Sequence, residues 1–113
     1  THPGALSQII SNLVINSITH AYDKGAEGKI RLRLYRDDGN LVFDYSDDGR
    51  GISEANRKEI FTPFFTTRRG AGGSGLGLSV VYNLVTATLQ GTISVESNVG
   101  VGTTFHIVFP LVE

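Results

Sequence analysis

Gly73-Ser74-Gly75-Leu76-Gly77-Leu78 stands directly ahead of the last long helical pattern in this 113-residue chain, and that position decides the fold. A dinucleotide-binding fold needs its glycine fingerprint after the first strand and before the first helix. Here a helical pattern opens the chain and the glycines come late, so the order excludes that fold. The pattern that follows them, Leu76–Leu89, has an apolar surface broad enough to be largely covered. Beyond it, Gly91–Ser97 and Thr103–Phe109 read as two strands joined through Asn98-Val99-Gly100-Val101-Gly102, a hairpin.

Upstream of the glycines the same alternation of element types appears. Apolar residues recur at Leu6, Ile9, Ile10, Leu13, Ile18 and Ala21, which predicts a helix over Ala5–Tyr22. Lys29–Arg36 alternates, with Ile30, Leu32 and Leu34 on one face, and Leu41–Ser46 alternates again through Leu41, Phe43 and Tyr45. Asp37-Asp38-Gly39-Asn40 between them is a turn, giving a first hairpin. Ser53 is placed to cap a short helix with Glu54 in its first turn, and Thr62-Pro63 should end it. Two hairpins interleaved with long helices predict an α/β (α+β) two-layer sandwich. Its sheet is expected to be mixed but largely antiparallel, with helices on one face.

Length points to one domain over residues 1–113. Ten basic and eleven acidic residues leave a net charge of −1, so composition gives no support to a nucleic-acid partner. With no cysteine, disulfides and thiolate-bound zinc are excluded. No apolar run approaches the roughly 20 residues a membrane-spanning helix needs. The expectation is therefore a cytoplasmic piece that does not touch the membrane, whatever anchors its parent protein.

Three short stretches carry chemistry. Asn12 and Asn16, four apart, share a helix face. Their amide oxygens are hard, neutral ligands suited to a magnesium ion that keeps waters and is shared with phosphates. Two amides in these places also serve simply to satisfy buried backbone groups. Asp47 ends a strand just before Gly49 and Gly51. A carboxylate held there accepts a hydrogen bond from an exocyclic amino group, which selects adenine, while the glycines allow close backbone approach and Ile52 covers one face of the base. Taken alone, the same residues make an ordinary polar turn.

The third stretch is the strongest. Gly70–Gly77 runs into a helix whose first N–H groups and positive dipole end favour an anion, with the amides near Leu76 and Gly77 expected to face phosphates. Arg68 or Arg69 could clamp the terminal phosphate, or remain a solvated loop charge. His20 follows Asn16 by four and shares its neighbourhood; His2 and His106 read as surface residues. No histidine has metal-site spacing, and no Ser-His-Asp constellation is suggested.

Together these residues resemble the ATP-binding catalytic domain of sensor histidine kinases, within the gyrase, Hsp90, histidine kinase and MutL superfamily. Asn12–Asn16 is similar to the N box, Asp47–Gly51 to the G1 box and Phe61-Thr-Pro-Phe-Phe65 to the F box. Gly73–Leu78 is similar to the G2 box and Gly100-Val-Gly-Thr-Thr-Phe105 to the closing glycine-threonine motif. The resemblance implies the Bergerat sandwich, with Asn16 as magnesium ligand, Asp47 as adenine reader and Thr103 supporting Asp47. It implies a lid over residues 66–74, so that Thr67 and Arg68 of the lid, and Phe64 of the F box, join Gly73 and Gly75 around the nucleotide. The superfamily's ATPases carry a glutamate where this chain has Asn12, and an amide offers no general base. Asn12 therefore favours the histidine kinase branch, where it and Arg68 are the expected catalytic residues. Thr19 and His20 stand where kinases commonly carry lysine and an aromatic. The Asp47-Asp48-Gly49-Arg50-Gly51 form is nearer to the ATPases, in which the arginine lies beside the adenine.

The resemblance implies a protein that binds Mg·ATP and donates the γ-phosphoryl group to a histidine on a separate dimerisation domain, with a response-regulator receiver downstream. The acceptor is not among this chain's own histidines, since none precedes an acidic residue. The alternatives are a superfamily ATPase or anti-sigma-type serine kinase, and a degenerate module kept for protein contacts.

Overall fold

The computed structural model describes residues 3–23, 25–63, 65 and 77–111. Both hairpins form where alternation placed them. Strands β1 (Ile30–Asp37) and β2 (Asn40–Asp47) pair antiparallel in register from Ile30↔Asp47 to Asp37↔Asn40. Asp38 and Gly39, with φ of 47° and 85°, form the two-residue link. Positive φ at both positions is the geometry whose twist matches the flanking strands. Strands β3 (Thr92–Asn98) and β4 (Gly102–Pro110) pair in the same way.

The strand order is β1-β2-β4-β3, so β2 and β4 are internal and pair Asp47↔Thr103, Tyr45↔Phe105 and Phe43↔Ile107. The two-layer class is as expected, and the expected mixed sheet narrows: every pairing among the described strands is antiparallel.

The helices follow the predicted stripes but change character. Helix α1 (Pro3–Asn16) gives way to a π-helical turn over Ser17–Ala21, and α3 (Gly77–Asn83) to another over Leu84–Thr88. In the second, Leu89 N–H reaches back five residues to the Leu84 carbonyl (2.9 Å), the wider ring of a π turn. The first alters the expected burial: Ser17 is fully buried while Ile18 is 64% exposed.

Helix α2 is also shorter than predicted. It spans Glu54–Arg57 with Ser53 as its cap, the Ser53 hydroxyl accepting from Asn56 N–H (3.1 Å). Beyond Arg57 the chain continues in three-residue turns, Glu59 N–H to Asn56 carbonyl and Thr62 N–H to Glu59 carbonyl, which tighten it out of the α-helix before Pro63.

The core lies between the helices and the internal strands. Ile9 and Leu13 of α1, Val81 of α3 and Val85 meet Phe43, Tyr45, Phe105 and Ile107. Each such burial contributes about 1.5–3 kcal/mol. Phe61 lies between the rings of Tyr82 and Phe105, centroids 5.2 and 6.4 Å away, and so ties the stretch before Pro63 to α3 and β4. The apolar face of β1 is only partly covered: β1 is an edge strand, and Ile30, Leu32 and Leu34 remain exposed.

Candidate functional site

One end of the sandwich gathers most of the described site residues. Asp47, at the last position of β2, is buried and its carboxylate is held on both oxygens: Oδ1 accepts from Gly49 N–H (3.0 Å) and Oδ2 from the Ser17 hydroxyl (2.8 Å). Strand alternation puts Asp47 on the same side as Tyr45, and the Tyr45 hydroxyl lies 2.7 Å from Ser17 Oγ.

Thr103 is the register partner of Asp47 on β4 and is also buried. Its hydroxyl is 2.8 Å from Ser97 Oγ. Ser97 in turn accepts from Ile52 N–H (2.7 Å), so the loop after Asp47 is fastened to the second hairpin.

The glycines of this loop make tight approaches to protein backbone. A Cβ on Gly49 would come within 2.4–2.5 Å of Ala21, and one on Gly51 within 2.3 Å of the Asn98 carbonyl oxygen. Arg50 N–H donates to the Ala21 carbonyl (2.8 Å), capping the π turn, while the Arg50 carbonyl accepts from Gly100 N–H (2.8 Å). The loop therefore clasps the end of the first helix on one side and the β3–β4 turn on the other. The Arg50 guanidinium pairs with Asp23 (2.6 Å) at the surface, a partner the sequence reading did not foresee.

Asn12 bridges the two helices. Its amide donates to the carbonyl of Gly77, the first residue of α3, at 3.2 Å, while Oδ1 accepts from Gln8 (2.8 Å). Asn16, one turn on, is half-buried and its side chain makes no hydrogen bond to another described residue. That leaves a hard oxygen donor at the edge of the site, which fits a cation shared with phosphates. Among the described residues no group of three or more His, Cys, Asp or Glu side chains comes together. His20 is half-buried on the π turn that begins after Asn16.

The expected contacts of Phe64, Thr67, Arg68, Arg69, Gly73, Gly75 and Leu76 lie outside the described residues, as does His2. Sequence reasoning missed the hydrogen-bonding roles of Ser17, Tyr45 and Ser97. By alternation alone Tyr45 is one more apolar strand residue. The available signals were positional: Ser17 directly follows Asn16, Tyr45 lies two residues before Asp47, and Ser97 is the register partner of Thr103.

Asp48 fills a structural place beside the site. It accepts from Lys29 N–H and the Tyr22 hydroxyl, both at 2.7 Å, closing the crossing into β1. The Lys29 amide first, and then the Tyr22 hydroxyl, hold its carboxyl below the usual carboxylate range. Tyr22 is pushed up to about 12, by burial and then by its hydrogen bond to Asp48.

This chain and its fold match known proteins over nearly the whole of the chain's length. The family described as histidine kinase-, DNA gyrase B-, and HSP90-like ATPase matches residues 1–113. The chain belongs to this family.

Among its members, the signal transduction histidine-protein kinase AtoS of Escherichia coli (strain K12) is 37% identical over 107 residues, 94% of this chain and 17% of AtoS. The autoinducer 2 sensor kinase/phosphatase LuxQ of Vibrio cholerae is 40% identical over 114 residues, 94% of this chain and 13% of LuxQ. The chain thus spans less than a fifth of either relative. Among solved structures, the catalytic domain of histidine kinase ThkA superposes with a TM-score of 0.80 at 30% identity, covering 97% of this chain and 69% of that one. Full-length ShkA in complex with AMPPNP superposes with a TM-score of 0.79 at 30% identity, covering 95% of this chain and 21% of ShkA. The family's fold is the one described above. Among the described residues no helix is long and apolar enough to cross a membrane.

Proposed function

We propose that this chain binds Mg·ATP and presents the γ-phosphoryl group to a histidine on a separate helical dimerisation domain of its parent protein, with a response-regulator receiver as the next acceptor. The observation that carries the reading is the buried Asp47 carboxylate. Its two oxygens each hold one inward donor and keep further acceptor capacity for an exocyclic amino group.

Support for the adenine side comes from Thr103 opposite Asp47 and from Ile52, Gly49 and Gly51 in the clasped loop. On the phosphate side, Asn16 would supply an oxygen to magnesium. That ion would neutralise charge on the transferring phosphoryl group. Gly77 opens the helix that follows the glycine stretch, with Gly73, Gly75 and Leu76 expected beside the phosphates, Thr67 and Arg68 in the lid and Phe64 just ahead of it.

Asn12 has a role compatible with kinase chemistry. Its amide, already bonded to Gly77 and Gln8, has no basicity with which to activate water. Alignment of the nucleotide and charge neutralisation then carry the transfer.

Calorimetric titration with Mg·ADP, against GDP and with Asp47→Asn alongside, tests the pocket. Magnesium-dependent binding that prefers adenine and weakens in the variant is expected; equal affinity for GDP, or no loss in the variant, overturns it. Incubation with labelled ATP should leave the chain free of phosphohistidine and label an added dimerisation domain of the same parent. Label on His2, His20 or His106 would refute the assignment of the acceptor.

A further inference from the structure

We infer that Tyr45 is a positioning residue for base recognition, acting through Ser17 to hold Asp47 in its reading orientation; this rests on Asp47 reading adenine as proposed above. Three buried groups share few protons. Ser17 Oγ lies 2.8 Å from Asp47 Oδ2 and 2.7 Å from the Tyr45 hydroxyl, and that hydroxyl lies 3.1 Å from the Leu13 carbonyl oxygen. A carboxylate brings no proton, so the Ser17–Asp47 bond takes the only one Ser17 has. The 2.7 Å contact between the hydroxyls must then use the Tyr45 proton, or two sets of lone pairs would face each other.

The donor direction is therefore Tyr45 to Ser17 to Asp47. The Leu13 carbonyl, at the longer distance, shares the Tyr45 proton. Ser17 and Tyr45 are both fully buried, so no solvent competes for these bonds. Burial pushes the Tyr45 phenol up, the Ser17 hydrogen bond draws it down and the Asp47 charge raises it again, with a net shift upward that keeps it a donor.

Tyr45 also removes an alternative. Leu13 lies four residues before Ser17, and a helical serine readily donates to the carbonyl four residues back. By standing against that carbonyl and donating to Ser17 Oγ, Tyr45 leaves the serine proton to Asp47. With phenylalanine at position 45, Ser17 is free to turn toward Leu13, and Asp47 Oδ2 loses its inner donor. The carboxylate can then rotate, and discrimination at the purine 6-position falls.

The test compares ADP with inosine diphosphate, which carries a carbonyl where ADP has its amino group. Dissociation constants are measured by calorimetry for the unaltered chain, Tyr45→Phe, Ser17→Ala, the double variant and Ser17→Thr, with thermal melts confirming folding. Tyr45→Phe should reduce the ADP preference about three- to tenfold, the scale of one net hydrogen bond. The double variant should be no worse than Ser17→Ala, and Ser17→Thr should restore the preference. If Tyr45→Phe does not fold, the contrast between Ser17→Ala and Ser17→Thr decides whether the relay operates.

An unchanged preference in Tyr45→Phe, with the parent chain still selecting ADP and Asp47→Asn abolishing that selection, overturns the relay alone. Equal binding of both nucleotides by the parent chain overturns the adenine reading and the relay with it.

Discussion

Replacing Gly51 by alanine probes the clasp on which the loop after Asp47 depends. Gly51 has φ +77°, and a Cβ there would lie 2.3 Å from the Asn98 carbonyl oxygen, 2.8 Å from its carbon and 3.0 Å from Val99 Cα. All three are backbone atoms, so no side chain can rotate away. The left-handed conformation alone costs an L-residue about 1–2 kcal/mol. Forcing the β3–β4 turn aside adds about 1–3 kcal/mol, the range for overpacking a close-packed site.

Gly39 supplies the control. Its φ is +85°, yet nothing lies within 4 Å of its would-be Cβ, so Gly39→Ala carries the conformational cost only. Urea denaturation should show Gly51→Ala destabilised by about 2–5 kcal/mol and Gly39→Ala by about 1–2 kcal/mol, at an unchanged slope. At this chain length each kcal/mol corresponds to about 4 °C in the melting midpoint. Gly51→Ala should also weaken Mg·ADP binding, because Ile52 N–H is drawn off Ser97; Gly39→Ala should not. Equal destabilisation by the two substitutions would refute the steric argument.

Two further predictions concern stability. Below pH 10 Tyr22 is protonated in both states, but between 10 and about 12 the unfolded chain ionises first, so the urea midpoint should fall through that window and stay flatter in Tyr22→Phe. On the acid side the sign reverses: Asp48 contributes stability above the ordinary carboxylate range that is lost as pH falls through its lowered value, and Asp48→Asn should reduce that acid-side slope. Within α1, Leu13→Ala empties a fully buried position and should cost about 2–5 kcal/mol. Exposed Ile15→Ala should stay within about 0.5 kcal/mol, and comparable losses at both sites would contradict the assigned helix face.

The strands were legible to within about a residue, because alternation is a direct image of the pleat, with one side covered in Leu41–Ser46 and neither in the edge segment Lys29–Arg36. Asp38-Gly39 identified its own turn for an equally local reason, needing two positive φ angles. The π turns were not legible. An α stripe and a π stripe use the same apolar residues, and the switch rests on hydrogen-bond register, which side-chain type does not encode. The switch accompanies a burial that the apolar stripe did not foretell, Ile18 outward and Ser17 inward.

Asp47, Asn12 and Thr103 stood out by motif, and the structure brings Asp47 and Thr103 face to face and joins Asn12 to Gly77. The supporting hydroxyls of Ser17, Tyr45 and Ser97 did not stand out. Each occupies a place where a core or strand residue is expected, and only the crossing of α1 over β2, or of one loop over β3, gives its oxygen a partner.

The pairing of the two internal strands has a consequence for error in folding. Asp47, Tyr45 and Phe43 alternate along β2 opposite Thr103, Phe105 and Ile107 of β4. A slip of one strand by a single residue would set its carboxylate or threonine on the outer surface in the same step as its large side chains. The polar end of the sandwich and its greasy middle are thus proofread together. A molecule that has packed its aromatic rings has, through the same ladder, already aimed its carboxylate.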